Sequence, residues 1–458
     1  MNLSLFIAKR VAASGQKSFT RTILIIAVVA VAVSVAVMLI ATSLVKGFKT
    51  EVSSKMFGFW GHIHIVSSVS TTSIEPIPIP KNPDYLADLR NLQDKQWRMD
   101  TIKNSSEKIQ PLTVNRQSST ISHVQAFATK AGIIKTKNDF EGIVLKGVGE
   151  DFDWTFVEKC LVEGRKISFE PPIESNSSLT AHNSQLITDS SKLKAQNSKL
   201  PEVIISQSTA DRLFLKIGNK FSVHFIRNNT QEQKTFTIVG IYKTGLEEYD
   251  KKFAIVPLNE VQKLLGWTEN QVAGFEVFVN DLDNLKPINN YIYKEIVPND
   301  LLSQTIREEQ PAIFDWLDLQ DVNERVILIL MLVVCIINMI TVLLILILER
   351  TNMVGVLKSL GAGNGTVQRI FLIYGVMIVG VGVIGGNILG LGLVWLEKTF
   401  KFIKLTEADY YLSYAPVQFD WWRIASINLG TWLLTGLFLL LPTYLILKIT
   451  PVKALRFK

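Results

Sequence analysis

ILIIAVVAVAVSVAVMLIATSL, residues Ile23 to Leu44, contains no charged side chain. As a helix it is long enough to cross roughly 30 Å of hydrocarbon. It is apolar around its whole circumference, which suits lipid better than a water-facing surface. Ala41-Thr42-Ser43 resembles a leader cleavage site behind a basic flank. The apolar core is much longer than the roughly 7–15 residues of a leader, so a span is the better reading. Val326–Leu348, Phe371–Leu396 and Ile424–Leu447 are likewise uncharged over membrane-crossing lengths.

Charge orients these spans. Of the 458 residues, Lys9, Arg10, Lys17 and Arg21 precede the first span, and Arg350, Lys358 and Arg369 lie between the second and third. Lys448, Lys453, Arg456 and Lys458 follow the fourth, and Glu349 is the single acid in the three segments. The positive-inside rule therefore places both termini and the 349–370 loop in the cytoplasm. These segments carry +10 of a formal net charge of +7, leaving −3 elsewhere. The basic balance reports topology and makes no case for nucleic acid.

The expected fold is an α-helical membrane protein with four transmembrane helices. A large α/β and β-rich extracytoplasmic domain is expected between helices 1 and 2. The expected order is an amphipathic cytoplasmic segment 1–22, span 23–44, domain 45–325 and span 326–348. A cytoplasmic loop 349–370, span 371–396, outer loop 397–423, span 424–447 and cytoplasmic tail 448–458 follow. The outer loop carries Phe400, Phe402, Tyr410, Tyr411, Tyr414, Trp421 and Trp422, the composition of an interfacial aromatic belt. Cys160 lies outside and Cys335 within a span, which excludes a disulfide between them.

Within 45–325, KFSVHFIR alternates Phe221, Val223 and Phe225 with polar residues, and GFEVFVND places Phe275, Val277 and Val279 on one face. KTFTIVGIY is a third strand candidate; STADRLFLKIG and PLNEVQKLLG read as short helices ending at glycine. Together they predict an α/β unit beside a β-rich one. IEPIPIPKNP is an extended segment, and the Ser/Asn-rich stretch near 170–200 reads as a surface insertion.

No sequence pattern supports catalysis. GAGNG (Gly361–Gly365) lacks the lysine and preceding strand of a phosphate cradle and reads as a turn. His62 and His64 share a strand face, but no nearby Cys or His would complete a metal site, so both are expected to face solvent opposite Ile63 and Ile65. Asn338, within the second span, is expected to pair with another helix. Gly375, Gly382, Gly386 and Gly390 of the third span fall on a face that allows close backbone approach.

ERTNMVGVLKSLGAGNGTVQRI (Glu349–Ile370) poses the functional question. Met353, Val356, Leu357 and Leu360 form an i, i+3, i+4, i+7 stripe beside Lys358, closed by Gly361. The stripe suits either a lipid surface or a groove on a partner.

LSLFIAKR at the start and LVKGFKTEVSSKMFGFWGHIHI after the first span have close parallels in one family. So do VGIYKTGLEEYDKKFAIVPLNEVQKLLG, containing Glu248, Tyr249 and Asp250, and ERTNMVGVLKSLGAGNGTVQRIF. YYLSYAPVQFDW and ITPVKALRFK complete the series. Together, in this order, they resemble the FtsX-type permeases of ABC transporters, most closely the transmembrane subunits of lipoprotein-releasing systems (the LolC/LolE type). The Ser/Asn-rich insertion departs from that pattern.

The resemblance implies a MacB-like periplasmic core and a coupling helix at Asn352–Leu360 that docks on a separate ABC ATPase. It implies two ATPase copies, a second identical or homologous permease chain, and ATP and Mg on the ATPase, with no cofactor on this chain. A lipoprotein substrate, a periplasmic lipoprotein chaperone and a bacterial inner-membrane location follow from the same likeness. Alternatives are an efflux permease of the macrolide-exporter type, a mechanotransducer activating cell-wall hydrolases, and a sensor working without ATP.

Overall fold

The computed structural model describes residues 18–70, 76–92, 120–135, 140–169, 200–227 and 230–444. The expected surface insertion, the C-terminal tail and most of the N-terminal segment lie outside the described residues. Four helices are long and apolar enough to cross a membrane. They are Ser18–Trp60, Pro311–Glu349, Asn364–Phe400 and Trp421–Phe438, the last prolonged by Leu440–Thr443.

The apolar runs are only the middles of these helices. At 43 residues, the first would extend about 65 Å, roughly twice the hydrocarbon thickness. VKGFKTEVSSKMFGFW continues it because the segment holds no proline and its buried Val45, Phe48, Val52, Met56 and Phe59 recur every three or four residues, the spacing of one helix face.

The chain divides into two units. The helical unit comprises Met1–Glu51, Ala312–Leu405 and Ser413–Lys458. Its core gathers Val31, Val35 and Leu39 of the first long helix, Met339 and Leu343 of the second, and Phe371, Tyr374 and Val379 of the third.

The other unit, Val52–Pro311 with Thr406–Leu412, is built on strands. In chain order they are β1 (Ile63–Ser67), β2 (Ile79–Pro80), β3 (Ile121–Lys135), β4 (Phe140–Val148), β5 (Leu161–Gly164) and β6 (Glu202–Ser206). Next come β7 (Lys220–Arg227), β8 (Thr230–Tyr242), β9 (Phe253–Pro257), β10 (Gln271–Val272), β11 (Gly274–Val279) and β12 (Leu301–Thr305). Strands β2 and β10 form a separate small pair.

The other ten strands form one mixed sheet, ordered β12-β1-β11-β3-β4-β9-β6-β8-β5, with β7 on β8 and β3. The β4–β9 and β6–β8 pairs are parallel. The α/β and β-rich parts expected side by side are thus continuous, because the 15-residue β3 pairs with β4, β11 and β7.

Phe221, Val223 and Phe225 enter the core, as do Phe275, Val277 and Val279. Helix Leu258–Leu265 ends at Gly266, whereas Gln207–Leu213 stops at Phe214, before the expected Gly218.

Candidate functional site

The short helix between the second and third long helices is Thr351–Ser359. Gly361 adopts φ 90°. Its N–H donates to the Lys358 carbonyl at 3.1 Å, and the Ala362 N–H donates to the Leu357 carbonyl at 3.0 Å. These two bonds form a Schellman cap, which satisfies carbonyls that the end of a helix leaves open. The first three residues of GAGNG, Gly361–Gly363, therefore make the expected turn, and its last two open the third long helix, which starts at Asn364.

The apolar stripe divides at the surface. Val354 is fully buried, and Met353 and Leu357 pack half-buried on the helical core. Val356 and Leu360 are 47% and 78% exposed. Lys358 is half-buried. The i, i+3, i+4, i+7 pattern finds apolar residues, but packing on the bundle through Val354 turns one edge of the stripe inward. The Val356–Leu360 edge is the one left exposed.

The glycines of the third long helix meet two neighbours. A Cβ on Gly382 would stand 2.6 Å from Val31 Cβ, and one on Gly386 would stand 2.6 Å from Val35 Cβ. At Gly390 it would lie 2.9 Å from Ala36 Cα, also on the first helix. Gly375 faces Leu439 instead, with 2.8 Å to Cδ1.

Asn338 is half-buried and has no side-chain hydrogen bond among the described residues. The amide pairing between helices occurs elsewhere: Asn387 Nδ2 donates to Asn428 Oδ1 at 2.9 Å, and Asn428 Nδ2 returns the bond at 2.9 Å. An asparagine within each of two apolar runs was the available sequence signal.

Glu248, Tyr249 and Asp250 fall on the helix Glu247–Lys252 and have different surroundings. Glu248 is exposed and pairs with Lys252 at 2.9 Å. Tyr249 is buried, stacked on Phe253 with centroids 5.8 Å apart. Burial raises the Asp250 pKa, opposed by hydrogen bonds from Thr244 and Gly245. Thr244 Oγ1 donates to Asp250 Oδ1 at 2.7 Å, and the Gly245 N–H donates to Oδ2 at 3.0 Å. Its own carbonyl accepts from Ser206 Oγ. Asp250 therefore holds a loop and two helices in register.

A buried charge cluster surrounds the C-terminal end of the first long helix. Lys146 of β4 is 1% exposed, and its Nζ lies 2.7 Å from Glu276 Oε1 of β11. The same ammonium donates to the Phe59 carbonyl at 2.5 Å and sits 4.7 Å from the Trp60 ring centroid. Gln125 Nε2 donates to Glu276 Oε2 at 2.6 Å. Burial lowers the Lys146 pKa despite the opposing charge of Glu276.

His64 joins this cluster, correcting the expectation that it faces solvent. It is 3% exposed, with Nε2 at 2.6 Å from the Trp60 carbonyl and Nδ1 at 2.6 Å from Glu309 Oε2. Both partners are acceptors, so the geometry suits an imidazolium that donates from each nitrogen. Burial pulls its pKa down, but the charge and hydrogen bond of Glu309, together with Glu276, carry it above the ordinary 6.5. His62, two residues earlier, is the converse: its Nδ1 accepts from the Val279 N–H at 2.7 Å, and burial lowers its pKa to about 4. Both histidines have protein partners at hydrogen-bond distance.

Lys146 and His64 therefore meet the last carbonyls of a 43-residue helix, where the helix dipole is negative and favours positive charge. Glu276 and Glu309 balance them. Sequence reasoning missed Lys146, Glu276 and Glu309, although a lone charge inside GIVLKGV and GFEVFV was a usable signal.

Comparison with known proteins assigns both parts of the chain. The MacB-like periplasmic core domain model matches residues 24–292, and the FtsX-like permease C-terminal model matches residues 325–451. The chain belongs to these permease families.

A lipoprotein-releasing system transmembrane protein LolC from Xylella fastidiosa is 24% identical over 233 residues, 49% of this chain and 56% of the relative. Matches to the first such relatives thus span little more than half their length. A LolC from Buchnera aphidicola is 23% identical over 99% of this chain and 98% of its own. A LolE from Haemophilus influenzae is 22% identical over 99% of both chains.

The FtsX-like match contains the short helix, the glycine face and the asparagine pair. The periplasmic-core match contains His64, Lys146, Glu276 and the Glu248–Asp250 triplet. Glu309 falls between the two.

Proposed function

We propose that this FtsX-like chain is the permease subunit of an ABC transporter that extracts lipoproteins from a bacterial inner membrane. It passes them to a periplasmic chaperone for delivery to the outer membrane. The supporting observation is similarity across almost the whole chain to proteins named LolC and LolE. In this reading the strand-built domain is periplasmic, both termini are cytoplasmic, and a second permease chain, identical or homologous, completes the membrane part. Two copies of a separate ATPase bind ATP and Mg; this chain binds no cofactor and catalyses no reaction.

The short helix is the coupling element. Val356 and Leu360 enter a groove on the ATPase, and Lys358 lies at its rim. Filling such a groove with one large apolar side chain contributes roughly 1.5–3 kcal/mol. Leu357 also packs on the chain's own core, so Leu360→Asp and Val356→Asp isolate docking from folding.

Each variant is expected to accumulate normally, lose copurified ATPase and leave lipoproteins in the inner membrane. ATPase recovery at the wild-type level from both would remove the coupling role. Cargo identity separates this reading from an efflux or hydrolase-activating permease. Copurified cell-wall hydrolase without lipoprotein would favour the latter.

A further inference from the structure

The helical unit contains a cavity of about 310 Å³ that the proposed transport cycle does not use. Its walls come from the first, second and fourth long helices. Arg325 on one wall directly precedes the uncharged run Val326–Leu348, and Arg423 directly precedes the run beginning at Ile424. Trp421 and Trp422, beside Arg423, are 70% and 81% exposed. Charges giving way to an apolar run beside exposed indoles mark the level of lipid headgroups.

The charges around the cavity are not all matched. Both carboxylate oxygens of Glu324 lie 3.3 Å from Arg423 Nη1, and Asp321 Oδ2 accepts from Lys49 at 2.5 Å. Arg325 is exposed and has neither an ion pair nor a side-chain hydrogen bond among the described residues. Its planar guanidinium can grip two oxygens of a phosphate diester at once.

A second donor lies in the wall. Thr42 is 3% exposed, and its hydroxyl has no hydrogen-bond partner among the described residues. A threonine within a helix can bond the carbonyl one turn back. Thr341 does so to Ile337 at 2.9 Å, and Thr399 to Trp395 at 2.9 Å. Thr42 lacks that bond, which leaves a buried hydroxyl unsatisfied beside the cavity.

We propose that this cavity binds the headgroup of a zwitterionic membrane phospholipid. The phosphate meets Arg325 and the Thr42 hydroxyl. The headgroup ammonium meets the acidic side formed by Asp321 and Glu324. Leu328 and Ile427 supply apolar wall for the glycerol and the first methylenes. The volume stands at the small end of ligand pockets, about 300–1,000 Å³, and suits a headgroup rather than a whole lipid. Apolar walls on spanning helices favour a lipid over a free phosphate. Lys49 occupies only Oδ2 of Asp321, and the single Arg423 nitrogen leaves lone pairs open on Glu324. Both carboxylates can therefore still accept from a headgroup ammonium, which a purely anionic headgroup lacks.

The test uses the full chain purified in detergent and titrated with dioleoyl phosphatidylethanolamine. Bound lipid is read by native mass spectrometry, alongside the melting temperature. One retained lipid per chain and a raised melting temperature are expected. Arg325→Ala should weaken binding by roughly tenfold, as loss of a charge-assisted contact does, with Arg325→Lys in between. Thr42→Val should weaken it less.

Arg325 has no partner among the described residues, so Arg325→Ala should melt like wild type without lipid. Wild-type lipid binding by Arg325→Ala would overturn the site. Equal binding of dioleoylglycerol would reduce the site to acyl-chain contact, and equal binding of soluble phosphoethanolamine would make it a free-phosphate site; either result defeats the proposal. Dioleoyl phosphatidylglycerol binding as tightly would overturn the role of Asp321 and Glu324. None of these outcomes depends on the cargo being a lipoprotein.

Discussion

The first long helix is held by different chemistry at two places along its length. In its apolar middle, Val31, Val35 and Ala36 meet Gly382, Gly386 and Gly390 so closely that one added methyl group would collide. Near its C-terminal end, the carbonyls of Phe59 and Trp60 meet the buried Lys146 and His64, whose acidic partners come from β11 and the helix Ile306–Glu309. Lipid is as apolar as the side chains within it, so helices there gain little from hiding Val or Leu and depend on close contact. Within a protein interior, a paired charge is directional and costly to break. The membrane segment is fixed by shape, the terminal segment by charge.

The largest effect should come from the charged end. Lys146→Met leaves Glu276 buried without its cation and should cost about 3–5 kcal/mol. The full chain should melt at a much lower temperature or accumulate poorly. Replacing both partners, as Lys146→Met with Glu276→Leu, should recover a large part of that loss. A single variant as stable as wild type would show that the cluster does not secure the helix end.

Next comes the glycine face. Gly386→Leu drives a side chain into Val35 and the Ala32 carbonyl and should cost about 1–3 kcal/mol, in the range of other overpacked interiors. Gly392 on the same helix has open space where its Cβ would be, so Gly392→Leu should be nearly neutral. Equal recovery of folded protein from both variants would mean that close approach is unimportant here.

A smaller, pH-dependent effect belongs to His64. Its folded pKa lies above 6.5, so its contribution is complete below 6.5 and is lost as the pH rises through the folded value. Across that window wild type should lose more melting temperature than His64→Gln. Parallel profiles would remove the imidazolium from the cluster. Smallest of all is Glu248→Gln, which breaks an exposed i, i+4 pair with Lys252 and should change stability by under about 0.5 kcal/mol. A larger loss would show that Glu248 has a partner beyond this helix.

Much of this architecture is legible along the chain. Uncharged runs, alternating strands and the Gly361 stop are properties of neighbouring residues, so a window of about twenty residues contains the information. His64 shows the limit of such a window. Its alternation with Ile63 and Ile65 predicts an outward side chain, yet the other face of β1 is covered too, and the histidine meets Glu309 from 245 positions away in sequence. The stripe Met353–Leu360 was visible as composition, but its division into an inner and an outer edge was not.

The sequence by itself determined which segments could enter a membrane, where several strands and turns fall, and which family the chain resembles. Those outcomes depend on the transfer of local apolar surface and on backbone preference. Tertiary structure alone decided that Lys146, Glu276, His64 and Glu309 share one buried site. It also decided that Asn387 rather than Asn338 finds an amide partner, and that Val356 and Leu360 remain exposed. The cost of burying a charge or amide depends on what stands opposite it, and that partner is chosen by the fold.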